Sequence, residues 1–161
     1  MTPVDTSAVI FNSPLETGVR SVVLLTACYP KALDVEQLTA LDHLVVHTED
    51  IGGPPSLHPA EETRAAELLV RRDVVRAGLR LLGLKGLVIQ QASESGFRYI
   101  AGPDAGNFVD LLSSDYAREL VVRAGWLAES VLTLDEDAFE AIVAERLDSI
   151  TMMPQDLPAG A

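Results

Sequence analysis

Between Asp73 and Leu82 the apolar residues Val74, Val75, Leu79, Leu81 and Leu82 recur at helical spacing, and Gly83, Lys85 and Gly86 then supply a stop. The spacing predicts a helix of roughly three turns. After it the period changes. Leu87, Val88 and Ile89 lead into the turn-forming cluster Ser93-Glu94-Ser95-Gly96, and Phe97, Tyr99 and Ile100 then alternate with Arg98, which predicts a β-hairpin ending near Gly102. An amphipathic helix feeding directly into a short hairpin is the closing half of a winged helix-turn-helix domain. The expected fold is therefore α+β and mostly helical, a winged helix-turn-helix core with a β-hairpin wing and extra N- and C-terminal helices.

Upstream, Ala8-Val9-Ile10-Phe11 is a short edge strand or an arm packed on the core. Ser13, Pro14 and Glu16 have the order of a capped helix start with a capping box, and Leu15, Val19, Val22, Val23 and Leu25 form the inward face of a helix running to about Cys28. Asp34 and Gln37 repeat the box for a helix to about His47, read as the first helix of the winged core. A loop of about fifteen residues follows, a length that is uncommon without a function. Gly52-Gly53 and Pro54-Pro55 give it one shape rather than many. A further helix is expected from about Pro59 or Glu61 to Val70. Pattern alone leaves open whether it turns at Arg71-Arg72, as a winged helix-turn-helix requires, or runs on.

Beyond the hairpin, Asp104 is placed to cap a short helix with Phe108, Val109, Leu111 and Leu112, and Ser113-Ser114-Asp115 a longer one through Trp126. Thr133 with Glu136 reads as a third capping box, for a helix whose outer face is acidic from Asp135 to Asp148. Residues 1–150 are thus expected to be one domain, its core at about 34–102 and its C-terminal helical extension at 104–150, with 151–161 a flexible tail.

Hydrophobic content of 48% with 5% aromatics describes a Leu/Val/Ala-rich helical core. Cys28 is the only cysteine, so no intrachain disulfide forms, and its place is the buried face of a helix. The longest apolar run falls far short of the ~18 residues of a membrane span, and no signal-peptide pattern opens the chain, so a soluble cytoplasmic protein is expected. The net charge of −12 argues against nucleic acid, yet it is unevenly spread. From Arg64 to Arg98 seven bases face three acids, a net +4, while the remainder holds five bases and 21 acids.

His43 and His47 stand four apart on the second helix, the spacing that lets two imidazoles share a metal. The glutamate of zinc proteases is missing, because Leu44 follows His43, and histidines bonding the backbone of the long loop are the competing reading. No nucleophile elbow, dinucleotide-binding glycine pattern or phosphate loop occurs. No enzyme activity, metal or cofactor is expected. Arg72, Arg76 and Arg80 lie on one face of their helix, and with Arg98 on the hairpin they are candidate DNA contacts; a solvated face pairing with the protein's own acids is the alternative.

The runs Phe11-Asn12-Ser13-Pro14-Leu15-Glu16-Thr17-Gly18, Leu41-Asp42-His43-Leu44-Val45-Val46-His47, Gly52-Gly53-Pro54-Pro55-Ser56-Leu57-His58-Pro59 and Glu67-Leu68-Leu69-Val70-Arg71-Arg72 resemble the middle component, second type, of bacterial ABC-three-component systems. The resemblance covers roughly Phe11 to Leu127. It implies a small non-catalytic accessory subunit working with an ABC ATPase of the SMC/Rad50 kind and an effector, in Lamassu-like defence against phages and other invading DNA. It also implies partner-binding positions at Asp42, His43, His47, Gly52, Gly53, Pro54, Pro55, Leu57, His58, Arg71 and Arg72. Nucleic acid would then be met through the complex. A reading from another class is an acidic winged-helix DNA-binding regulator.

Overall fold

A computed structural model describes residues 13–59 and 65–151, the side chains of 65–69 and 147–151 excepted. The arm or strand expected at Ala8–Phe11, the helix start near Pro59 or Glu61 and the tail from Met152 lie wholly or partly outside the described residues. The protein is α+β and mostly helical, with a single two-stranded hairpin among the described residues.

Helix α1, Pro14–Cys28, begins where Ser13 Oγ accepts the Glu16 amide at 3.2 Å, with Pro14 at the first position. It is the centre of the molecule. Helices α3 and α5 press on it from different sides, and Val22, Val23, Leu24, Leu25 and Cys28 are all buried, as are the polar Thr17, Arg20 and Ser21. The inward stripe expected of a surface helix is replaced by burial almost all round, except that Leu15, expected inside, is 57% exposed in the first turn.

Helix α2, Val35–Val46, has the full capping box: the Gln37 amide donates to Asp34 Oδ1 at 2.8 Å and the Asp34 amide to Gln37 Oε1 at 2.9 Å. Helix α3, Ala65–Gly83, is continuous, so the chain does not turn at Arg71-Arg72. The reason is local: Val70-Arg71-Arg72-Asp73 contains no glycine or proline to stop propagation. α3 crosses α1 at its closest approach through paired glycines. A Cβ on Gly78 would stand 2.6 Å from the Gly18 nitrogen, and one on Gly18 would meet the Gly78 carbonyl at 2.9 Å. Only residues without side chains let these two backbones touch.

The hairpin joins β1, Val88–Ser93, to β2, Gly96–Ala101, in the register Val88↔Ala101 to Ser93↔Gly96. Gly96 carries a φ of +121°, which a side chain would disfavour. On its other edge β2 pairs with Leu33, which exchanges backbone bonds of 2.9 and 2.8 Å with Tyr99. Thus the segment between α1 and α2 is stitched to the hairpin.

Helices α4 (Ala105–Asp110), α5 (Asp115–Leu132) and α6 (Glu136–Thr151) complete the order. Ser114 caps α5 by accepting from Ala117 at 3.1 Å. Two expected caps are absent. Asp104 makes no side-chain cap bond, and Thr133 turns back to the Ser130 carbonyl while Asp135 caps α6 by accepting from Ala138 at 2.7 Å. Phe139 is fully buried, and Lys31 and Arg98 pair with Glu136 at 3.1 and 3.7 Å, so the acidic helix is partly neutralised by the body it packs on. Among the described residues no helix is long and apolar enough to cross a membrane.

Candidate functional site

Four elements converge below the long loop. α1 contributes Thr17 and Arg20, three apart and hence on one face; α2 contributes Asp42 and His43; α3 contributes Arg71; and α5 contributes Tyr116. Asp42 is 0% exposed and sits between two guanidinium groups. Arg20 Nε donates to its Oδ1 at 2.8 Å, and Arg71 donates to its Oδ2 at 2.8 Å. Arg20, 2% exposed, also donates to Thr17 Oγ1 at 3.2 Å and bonds the Tyr116 hydroxyl. Burial alone would push the Asp42 carboxyl up, but the two cations outweigh it and hold the group below the usual carboxylate range. The same contest leaves Arg20 more firmly protonated than a free arginine.

A row of rings continues from this centre. His43 and His47 have centroids 4.5 Å apart, as their four-residue spacing predicts, His58 meets His47 edge-on at 6.2 Å, and His58 Nε2 lies 2.9 Å from the Tyr116 hydroxyl. Burial, followed by the nearby Arg71 and His47 for His43 and by Arg20 and His47 for His58, lowers the pKa of His43 to about 3 and of His58 to about 4. Both imidazoles are neutral at pH 7. His43 Nδ1 has no hydrogen-bond partner among the described residues. Among the described residues no group of three or more His, Cys, Asp or Glu is placed to hold a metal ion.

The long loop is bonded back onto this platform. A 3-10 turn, Thr48–Ile51, opens it, and Gly52 adopts a φ of +78°. Thr48 Oγ1 donates to the Pro54 carbonyl at 2.6 Å, the Leu57 and His58 amides both donate to Val46 at 3.1 Å, and Glu49 and Ser56 exchange bonds of 3.2 and 3.1 Å. Arg123 of α5 clamps it, with Nε and a terminal nitrogen donating to the Pro55 carbonyl at 2.8 and 2.6 Å, while Glu119 pairs with the same arginine. Gly53 lies against the Trp126 indole, where a Cβ would approach to 2.5 Å. What remains outward is Glu49 to Gly52, Pro55 and Pro59.

The residues singled out by sequence therefore divide by depth. Asp42, His43 and His47 are buried; Arg71 is 15% exposed and points at Asp42; Gly53, Pro54, Leu57 and His58 are half-buried; Gly52 and Pro55 are exposed. Arg72 pairs with Glu36 at 2.5 Å and Arg98 with Glu136, whereas Arg76 and Arg80 are exposed with no ion pair among the described residues. Sequence reasoning missed Thr17, Arg20, Tyr116, Arg123 and Trp126. Arg20 and Arg123 did carry a signal, each a lone cation inside a run of apolar helical residues, Val19–Leu25 and Leu120–Leu127.

Since Arg123 holds one carbonyl with two charged donors, Arg123→Ala should destabilise by about 2–3 kcal/mol and loosen the loop. Limited proteolysis would then cut near Gly52-Gly53 several-fold faster than in the parent, and an unchanged rate would show that Trp126 and the backbone bonds suffice.

No curated protein and no solved structure matches the chain. A family model described as the ABC-three component (ABC-3C) system Middle Component 2 matches residues 10–153, which includes α6, beyond the reach of the motifs read from sequence. With all of the converging elements and the loop inside that span, the chain belongs to the ABC-three component system Middle Component 2 family.

Proposed function

We propose that the protein is a non-catalytic adaptor of a Lamassu-like antiviral ABC-three-component system, joining an SMC/Rad50-like ABC ATPase to an effector in the cytoplasm without a cofactor. The observation that carries this is the loop of residues 47–59, rigidly bonded over a buried ion cluster yet exposing a tip at Ile51, Gly52 and Pro55. A preformed surface loses little conformational entropy on docking, which favours a stable subunit contact. In this reading Gly52, Gly53, Pro54, Pro55, Leu57 and His58 shape the contact, Asp42, His43, His47 and Arg71 are the foundation under it, and Arg72, paired with Glu36 in the first turn of α2, adds a second point of contact on α3.

The test is co-expression with the neighbouring ATPase and effector genes. The adaptor reading expects a stable complex and no turnover by the isolated chain, and Ile51→Asp with Pro55→Asp should break the complex while leaving the fold intact. Turnover by the chain alone, or a complex indifferent to those changes, would remove the reading.

The alternative, a winged-helix DNA-binding regulator, draws support from the order α1, Leu33, α2, α3, β1, β2 and from the antiparallel bridge of Leu33 to β2. On that assignment α1, α2 and α3 are the three core helices, and the long loop stands where the turn would be. The two readings part on a salt titration: duplex affinity that falls steeply with salt and is weakened by Arg76→Ala selects the regulator.

A further inference from the structure

β1 reads Val88-Ile89-Gln90-Gln91-Ala92-Ser93, and every residue after Val88 is exposed. β2 is paired on both edges, by β1 and by the bridge to Leu33, whereas among the described residues β1 pairs with β2 alone. Among the described residues one row of strand amides and carbonyls is therefore open. Such edges are normally guarded by charge, proline or a bulge, and β1 has none of the three.

The two faces beside this edge differ in chemistry. The pleat sends Val88 and Gln90 to the side of Tyr99 and Phe97, where α3 closes a groove of about 500 Å³ lined by Arg76, Arg80, Leu84 and Phe97 and by no acidic residue. Ile89 and Gln91 point the other way, into a recess of about 560 Å³ with Tyr29, Ile100 and Pro103 and with no charged lining residue. The last turn of a helix favours a cation, which accounts for Arg80; Arg76, a turn earlier, has no such explanation. Lys85 is exposed just beyond the helix and adds a further positive charge.

We propose that the open edge of β1 accepts an extended segment of a partner protein whose side chains alternate between acidic and apolar, the acidic ones meeting Arg76 and Arg80 in front and the apolar ones the Tyr29–Ile89–Ile100 recess behind. Strand addition supplies backbone bonds for affinity, and alternation supplies specificity, because successive side chains enter opposite faces. A nucleic acid suits the groove less well. Duplex affinity grows with the number of phosphates neutralised, and Arg71, Arg72 and Arg98 are already committed to Asp42, Glu36 and Glu136 in a chain of net charge −12. This surface is separate from the loop tip, and the inference stands whichever subunits the loop joins.

The test is an array of random peptides of about eight residues, probed with the full labelled chain at low and moderate salt. Nonspecific attraction to a chain of net charge −12 would enrich basic peptides, so enrichment of alternating acidic and apolar ones is a discriminating result. The selected peptides should lose roughly tenfold or more in affinity for the Arg76→Glu/Arg80→Glu variant, whose changes are on exposed positions. Adjacent strand residues point their amides in opposite directions, so of Gln90→Pro and Gln91→Pro one breaks the hairpin and the other blocks only the free edge. The variant that keeps native circular dichroism must fail to bind the selected peptide. Enrichment of basic peptides, no enrichment, or binding retained by the folded proline variant would overturn the proposal, as would a twenty-base-pair duplex binding through Arg76 and Arg80 in place of any peptide.

Discussion

Asp42→Asn should lower stability by about 3–5 kcal/mol, read as a fall in the urea midpoint at unchanged slope. The asparagine keeps the shape of the side chain and removes its charge. Arg20, 2% exposed, would then lose the carboxylate that neutralises it, and the cost is chiefly that of a buried cation deprived of its charge partner. Because Asp42 ties α1, α2 and α3 together through Arg20 and Arg71, the loss falls on the junction of three helices. Arg71→Ala should cost less, since Asp42 keeps Arg20 and Arg71 already reaches solvent. Replacing the buried pair together, as Arg20→Met with Asp42→Leu, should recover part of the loss, because apolar side chains of similar volume carry no desolvation penalty. An Asp42→Asn midpoint within error of the parent would show that the ion cluster does not hold the helices together.

Stability should also fall steeply as the medium is acidified. His43 and His58 titrate in the folded protein at about 3 and about 4, whereas in the unfolded chain each returns toward about 6.5. Below that value the unfolded chain binds protons that the folded one refuses, so acid favours unfolding. The full stability is present above about pH 6.5. Each histidine then removes about 1.4 kcal/mol per pH unit until its folded value is reached. Asp42 follows in the same direction but later: its lowered pKa contributes stability above the ordinary aspartate value of about 3.9, which is lost as pH falls through the folded one. Urea midpoints at pH 7.5, 6 and 5 check this. His43→Leu should be nearly neutral at pH 7.5, since it removes an imidazole nitrogen without a partner, and should roughly halve the slope below pH 6. A slope unchanged by that substitution would mean that His43 is already protonated in the fold.

Much of the secondary structure was legible because it is set by short-range chemistry. Ser13-Pro14 and Asp34 with Gln37 mark helix starts by the bonds their own side chains make, and the hairpin follows from alternation around a glycine-bearing turn. At the start of α6 spacing was insufficient, because the box read at Thr133 with Glu136 does not form. Asp135 displaced Thr133 because its carboxylate reaches the Ala138 amide, while the threonine hydroxyl is taken by Ser130. The continuity of α3 was open for a different reason, since nothing in Val70–Asp73 demands a turn, and without a glycine or proline there the helix runs on.

The candidate site was legible as a list and not as an arrangement. The motif around Asp42, His43 and His47 and the glycine–proline loop stood out in the chain, but the residues that anchor them, Arg20, Tyr116, Arg123 and Trp126, lie far away in sequence. Depth could not be read either. Arg71 and Arg72 are neighbours of the same type, yet one is drawn inward to a buried carboxylate and the other pairs at the surface with Glu36.

By itself the sequence determined the presence and order of most helices and of the hairpin, the composition of the core, the −12 charge with its basic island, and the family to which the chain belongs. Those properties depend on residues within a few positions of one another, or on sums over the whole chain. Tertiary structure alone decided that Asp42 lies between two arginines from different helices, that the loop is pinned by α5, and that Arg76 and Arg80 stay exposed beside an open strand edge. The physical reason is that charge pairing and desolvation act through space. A carboxylate 22 positions from one arginine and 29 from another acquires its role only when packing removes water from all three.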